Sequence, residues 1–266
     1  MRTGFVSFDR RPYDESIATA AELGFDYVEI MMDGDSHRDV LEAERESVVE
    51  ALDAGGVDAL VHFPFPMLIG SPHTHQREGA IEEMKRCIDA AAGVGAEKGV
   101  MHPDSYGWVR VWDGDEVDPI MVEAVRELDE YAAERGLEVC VENLFQGYLD
   151  IYEFDLLFEN TDVSMTLDTG HAAIVDMDES EMATFVDEHR DRVSHLHLND
   201  TRHLDVGYRS KDEHLPLGYG TIDFETILEP LLTDWDGTVS IELDTPNFEY
   251  LRASKRRLES ILESAR

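Results

Sequence analysis

Eight short apolar, β-branched segments, each followed by a longer amphipathic one, run through 266 residues without a linker, a low-complexity tract or a break in composition. They predict an α/β fold: a closed (β/α)8 TIM barrel occupying residues 1–266 as a single domain. About 33 residues per unit fits such a barrel. The competing architecture, a doubly wound open sheet, needs a topological switch point and usually a glycine-rich phosphate loop after its first strand. Phe5-Val6-Ser7-Phe8-Asp9 is no such loop.

The first strand is read at Thr3–Ser7 and the first helix at Asp14–Leu23, which opens on an acidic turn and ends before Gly24. The strand Tyr27–Met31 precedes a helix over Asp39–Ala54 that Gly55 closes. Ala59–Phe63 leads to a helix over Gln76–Val94, and Gly99–His102 to one over Pro119–Arg135, with Pro119 at its start and Gly136 past its end. Glu138–Glu142 is paired with Ile151–Phe158, Ser164–Leu167 with Glu179–His189, Val193–Leu198 with Asp223–Leu232, and Thr238–Glu242 with Phe248–Glu263.

Composition narrows the setting. Asp and Glu number 59 against 22 Lys and Arg, a formal net charge of −37, and the only lysines are Lys85, Lys98, Lys211 and Lys255. A hydrophobic content of 42% is enough for a packed core, so the acidity does not mean disorder. Acids dispersed through every segment, with lysine avoided, match a cytoplasmic protein of a salt-in halophilic archaeon, because molar salt shortens the screening length to about 3 Å. No basic run beyond Lys255-Arg256-Arg257 offers a membrane surface or an ordinary nucleic acid a partner. No apolar stretch approaches the roughly 18 residues of a membrane span, so a soluble, cytoplasmic protein is expected. Cys87 and Cys140 read as reduced core residues.

Barrel chemistry forms where strands end, and six consecutive strands end in ligand-type residues: His62, His102, Glu142, Asp168 with His171, His197, and Glu242. A lone strand-end histidine is usually structural. Six around one mouth would bury too much charge without cations, so a divalent metal is expected, with the imidazole and carboxylate mixture suiting Zn or Mn and also Co or Fe. His195 shares a strand face with His197 but lies farther from the strand end, which makes it a packing residue or one that supports the ligands from behind. The loop Asp212-Glu213-His214-Leu215-Pro216-Leu217-Gly218-Tyr219-Gly220 adds two more ligand types, and its glycines permit a tight backbone.

The ordered series DTGH, HLHLND, DEHLPLGYGTIDF and IELDT resembles the xylose isomerase-like TIM-barrel superfamily over essentially the whole chain. That superfamily contains sugar-phosphate isomerases and epimerases and the type IV apurinic endonucleases. The epimerase resemblance implies one divalent ion on Glu142, Asp168, His197 and Glu242, with Glu142 and Glu242 as the acid/base pair and His171 on a terminal oxygen of a small sugar or sugar phosphate. The endonuclease resemblance implies three zinc ions on His62, His102, Glu142, Asp168, His171, His197, Asp212, His214 and Glu242, cleaving abasic DNA. The resemblance also implies a homodimer, since barrels of this family often pair. The loop after the third strand, Phe65-Pro66-Met67-Leu68-Ile69-Gly70-Ser71-Pro72, looks like its endonuclease counterpart, whereas Met32-Asp33-Gly34-Asp35-Ser36-His37 is acidic where a DNA-grasping loop should be basic.

Sugar isomerisation or epimerisation is therefore the preferred reading. A non-catalytic binding barrel is disfavoured because both glutamates are present. Arg202 and Arg209 are candidates to clamp a substrate anion, Trp108, Tyr106 and Trp112 to stack on a sugar face, and Asn143 to orient Glu142 or a substrate hydroxyl. His73 and His75 lie at a helix entrance, and His37, His189 and His203 are left as surface residues.

Overall fold

The computed structural model describes residues 1–7, 11–105, 111–145, 148–202, 212–245 and 247–264. Eight parallel strands form the barrel wall: β1 Arg2–Phe5, β2 Tyr27–Met31, β3 Asp58–His62, β4 Lys98–Met101, β5 Glu138–Glu142, β6 Ser164–Asp168, β7 Val193–Leu198 and β8 Thr238–Ile241. They are ordered β1-β8-β7-β6-β5-β4-β3-β2. Seven junctions are strand ladders. The eighth, between β1 and β2, is a seam without a ladder, held by the parallel bridge of Val6 with Glu29, by the Ser7 N–H donating to the Glu29 carbonyl at 2.8 Å and the Asp26 N–H to the Thr3 carbonyl at 2.9 Å, and by the Met31 N–H donating to Ser7 Oγ at 2.9 Å.

Helices α1 Tyr13–Leu23, α2 Arg38–Ala43, α3 Arg45–Gly55, α4 Thr74–Gly93, α5 Gly114–Ala133, α6 Asp155–Asn160, α7 Thr169–Ile174, α8 Glu179–Glu188, α9 Phe224–Leu228 and α10 Phe248–Ser264 follow the strands. A strand in such a barrel has both faces covered. Val28 and Ile30 of β2 therefore join the apolar layer beneath the helices, while the Tyr27 hydroxyl reaches inward to Ser240 Oγ at 3.1 Å.

Gly56, at φ 64°, closes α3 in place of Gly55, and four helix boundaries depart further from the sequence reading. The helix expected over Asp39–Ala54 divides into α2 and α3 at Glu44, where φ is −109° and ψ 19°. The Glu116 carboxylate accepts the Asp113 N–H at 3.2 Å and starts α5 one turn early, leaving Pro119 inside the helix rather than at its start. Ile151–Phe158 is a 3-10 turn followed by α6. α9 passes into a 3-10 turn over Glu229–Leu231, where Pro230 has no N–H to continue the helix. α7 is too short to show a periodicity in sequence. No helix among the described residues is long and apolar enough to cross a membrane.

Candidate metal centre

The strand ends of β3 to β8 and the loop after β7 deliver nine ligand-type side chains to one place. His62, His197 and Glu242 have ligand atoms within 4.8 Å of one another, and so do three groups that together take in all nine: His62, His102 and Glu142; Glu142, Asp168, His197 and Glu242; His171, Asp212 and His214. Glu142 joins the first two. Its Oε2 lies 3.4 Å from His62 Nε2 and 3.2 Å from His102 Nε2, and its Oε1 lies 3.4 Å from His197 Nδ1. Glu242 Oε2 joins the last two groups, 3.2 Å from His197 Nδ1 and 3.4 Å from His214 Nδ1. Asp212 Oδ2 sits between His214 Nε2 at 2.7 Å and His171 Nε2 at 3.3 Å.

Local folding fixes these positions. Asp168 caps α7 by accepting the His171 N–H at 2.6 Å, which puts His171 one turn beyond β6. Asn199 Nδ2 donates to the other Asp168 oxygen at 2.6 Å, and a Cβ on Gly170 would lie 1.8 Å from Asn199 Oδ1, so only glycine fits there. Asp200 anchors the loop after β7. Its carboxylate accepts the N–H groups of Gly218 at 2.9 Å, Gly220 at 2.8 Å and Ile222 at 3.1 Å, and its backbone pairs with Leu215, just past His214.

Several ligand-type atoms have no hydrogen-bond partner despite full burial: His62 Nε2, Glu142 Oε2, His197 Nδ1, Glu242 Oε2 and Asp212 Oδ1. Buried polar atoms are nearly always partnered. Five convergent exceptions, with other ring nitrogens tied elsewhere, are what a cation-binding donor set presents: His62 Nδ1 meets the Phe63 carbonyl at 2.8 Å and His171 Nδ1 the Asn143 carbonyl at 2.9 Å. The residues therefore fit divalent ions.

Protons and charges respond accordingly. Burial opposes ionisation of Glu142, but His197 and His102 hold it well below the usual carboxylate range. Burial likewise works against Glu242, which His197 and His214 bring to about 2. For Asp168 burial wins: opposed by His171 and reinforced by Glu242 and Glu142, it pushes the carboxyl up to about 7. Burial disfavours charged imidazoles too, yet Asp168 and Asp212 raise His171 to about 10, and Glu242 and Asp212 raise His214 to about 9. Without metal, imidazolium protons supply part of the positive charge that these carboxylates need.

A cavity of about 310 Å³ opens over Glu142, His171 and Glu242, with Phe65 and Phe145 in its wall. A neighbouring one of about 580 Å³ shares Phe65, Asp212, His214 and Glu242 and extends to Asp33 and Asp244. A third, about 420 Å³, is lined by Trp112, Asp118 and Tyr148 and includes none of the nine ligand-type residues.

The substrate-binding candidates are placed differently. Asn143 spends its side chain on the backbone of Asp168, accepting its N–H at 2.8 Å and donating to its carbonyl at 3.1 Å. Arg202 is ion-paired with Glu213, its side chain 53% exposed. Trp108, Tyr106, His203 and Arg209 lie outside the described residues.

Sequence reasoning did not single out Glu29, Asn199 or Asp200. All three are fully buried. An acid in the middle of Tyr27-Val28-Glu29-Ile30-Met31 was the available signal, since a barrel strand has no solvent face for it.

Among relatives, an uncharacterized protein of Methanocaldococcus jannaschii is 28% identical over 263 residues, covering 93% of this chain and 84% of its own. A probable endonuclease 4 of Mycoplasma mycoides is 24% identical over 227 residues, covering 77% and 73%. The solved structure of a D-tagatose 3-epimerase-like protein superposes with a TM-score of 0.82 at 24% identity, covering 100% of this chain and 98% of the other. A model of the xylose isomerase-like TIM barrel family matches residues 17–263, and the chain belongs to that family.

Proposed function

We propose that the protein is a divalent-metal-dependent sugar or sugar-phosphate isomerase or epimerase. The observation that carries this reading is the pair Glu142 and Glu242, whose unpartnered Oε2 atoms converge with Asp168 and His197 beneath a cavity of sugar size. A Zn or Mn ion held by these four residues would supply Lewis acidity, easing removal of a proton from the carbon beside a carbonyl. Glu142 and Glu242 hold and return that proton, one carboxylate taking it and the other delivering it to the opposite face. His171 faces the cavity and binds a terminal oxygen. The acidic rim favours an uncharged polyol over a polyanion: Asp33, Asp104 and Asp244 line the two cavities, and no Lys or Arg does among the described residues.

A second reading, a three-metal phosphodiesterase acting on abasic DNA, is favoured by the additional groups His62/His102/Glu142 and His171/Asp212/His214 and by the sharing of Glu142 between two groups. Metal-bound water is a competent nucleophile for that chemistry.

The test is incubation with Zn or Mn and a panel of ketoses and their phosphates in D2O at high salt, with metal content measured in parallel. Deuterium incorporated beside the carbonyl supports the isomerase. Absence of exchange together with cleavage of an abasic-site duplex overturns it.

A further inference from the structure

Glu29 is a fully buried carboxylate that the chemistry above leaves unused, and its oxygens meet three donors. Oε1 faces His197 Nε2 at 3.0 Å; Oε2 faces His195 Nε2 at 3.1 Å and accepts the Ser240 hydroxyl. Proton bookkeeping then assigns the ring tautomers. Glu29 oxygens only accept, so His195 Nε2, 3.1 Å from Oε2, carries a proton, and its Nδ1 can accept the Thr238 hydroxyl at 2.7 Å. His197 likewise turns an Nε2–H to Glu29. With Nε2–H turned to Glu29, Nδ1 is the nitrogen left to a metal once its own proton is displaced; it points to where Glu142, Asp168 and Glu242 converge, 3.2 Å from Glu242 Oε2 and 3.4 Å from Glu142 Oε1.

His197 differs in this respect from His62 and His171. His62 and His171 are oriented by neutral backbone carbonyls, whereas His197 is backed by a carboxylate. A carboxylate behind an imidazole fixes its tautomer and raises its basicity as a ligand. Resting on the metal-binding reading above, we infer that Glu29 is a positioning residue for the metal centre: it holds His197 in the Nε2–H form so that Nδ1 is the ligand atom. The group Glu29, His195 and His197 is not a further ion site, because its facing atoms are engaged with one another and sealed in the barrel.

The test uses the full chain and Zn2+ alone, titrated against a chromophoric chelator. Glu29→Gln is expected to weaken the tightest Zn2+ site ~10- to 100-fold with the number of bound ions unchanged. Tyr27→Phe, which removes a buried hydroxyl from the same network without touching His197, is expected to lower Tm and leave that affinity near wild type. Equal affinity of Glu29→Gln and wild type overturns the inference, and so does loss of one ion from the stoichiometry, which would make Glu29 a ligand. If His197→Ala binds Zn2+ as tightly as wild type, the metal-binding reading itself fails, a separate result. Should Glu29→Gln not fold, 15N spectra of Zn2+-loaded wild type decide. A metal-shifted Nδ1 with protonated Nε2 on His197 supports the inference, and the reverse pattern overturns it.

Discussion

The two ends of the barrel treat charge in opposite ways. At the N-terminal end, several buried and half-buried polar groups are matched donor to acceptor. Lys98 Nζ donates to Ser194 O at 2.7 Å and pairs with Glu138 at 3.6 Å, Ser164 donates to Glu138 at 2.6 Å, and Arg2 bridges Asp58 and Glu97. At the C-terminal end, carboxylates and ring nitrogens crowd together and leave buried ligand-type atoms unpartnered. Matched groups serve stability. Mismatched groups retained at the cost of burial point to chemistry, and the contrast marks the candidate site without reference to any relative.

The largest effect that would sharpen this contrast is on turnover. Glu142→Gln and Glu242→Gln are each expected to lower kcat by ~10²- to 10⁴-fold with the fold retained by circular dichroism. Turnover surviving in the double variant would break the assignment.

A pH series comes next. His171 and His214 are raised to about 10 and about 9, so their stabilising contribution is full below the ordinary histidine value and lost as pH rises through 9 to 10. Asp168, raised to about 7, contributes in the same sense and loses its share as pH climbs through 7. Metal-free protein should therefore melt at progressively lower temperature from pH 6 to 10, whereas metal affinity should rise over the same range as those protons leave. Melting curves with and without Zn2+ that run parallel would contradict this.

At the opposite end, Lys98→Met should cost about 1–2 kcal/mol in chemical denaturation, discounted for the partial exposure of Glu138, and leave kcat intact. A loss of turnover there would erase the division between the ends. The smallest effect is expected for Arg202→Ala, with no resolvable change in Tm and with KM unchanged, since the guanidinium is exposed and paired with Glu213. A large rise in KM would return Arg202 to the substrate site.

Strands were legible because parallel barrel strands are short apolar runs, and β2, β5 and β7 carry the expected bounds. Helices defined by capping or by a proline inside the run were less so: Asp113 with Glu116 advances α5, and Pro230 shortens α9. The nine ligand-type residues could be read because each stands where an apolar run stops or in the glycine loop after β7. Glu29 could not be read that way. It stands mid-strand, and its partners His195, His197 and Ser240 are more than 160 positions away in sequence. Only closure of the barrel brings them together.

Mechanically, the wall is a hoop of eight staves with seven laddered joints and one thin seam, between β1 and β2. Glu29 sits at that seam, its backbone holding β1 and its side chain reaching β7 and β8. It acts as an internal cross-brace, so that the stave with the weakest lateral joint is braced through the interior by the same side chain that steadies His197.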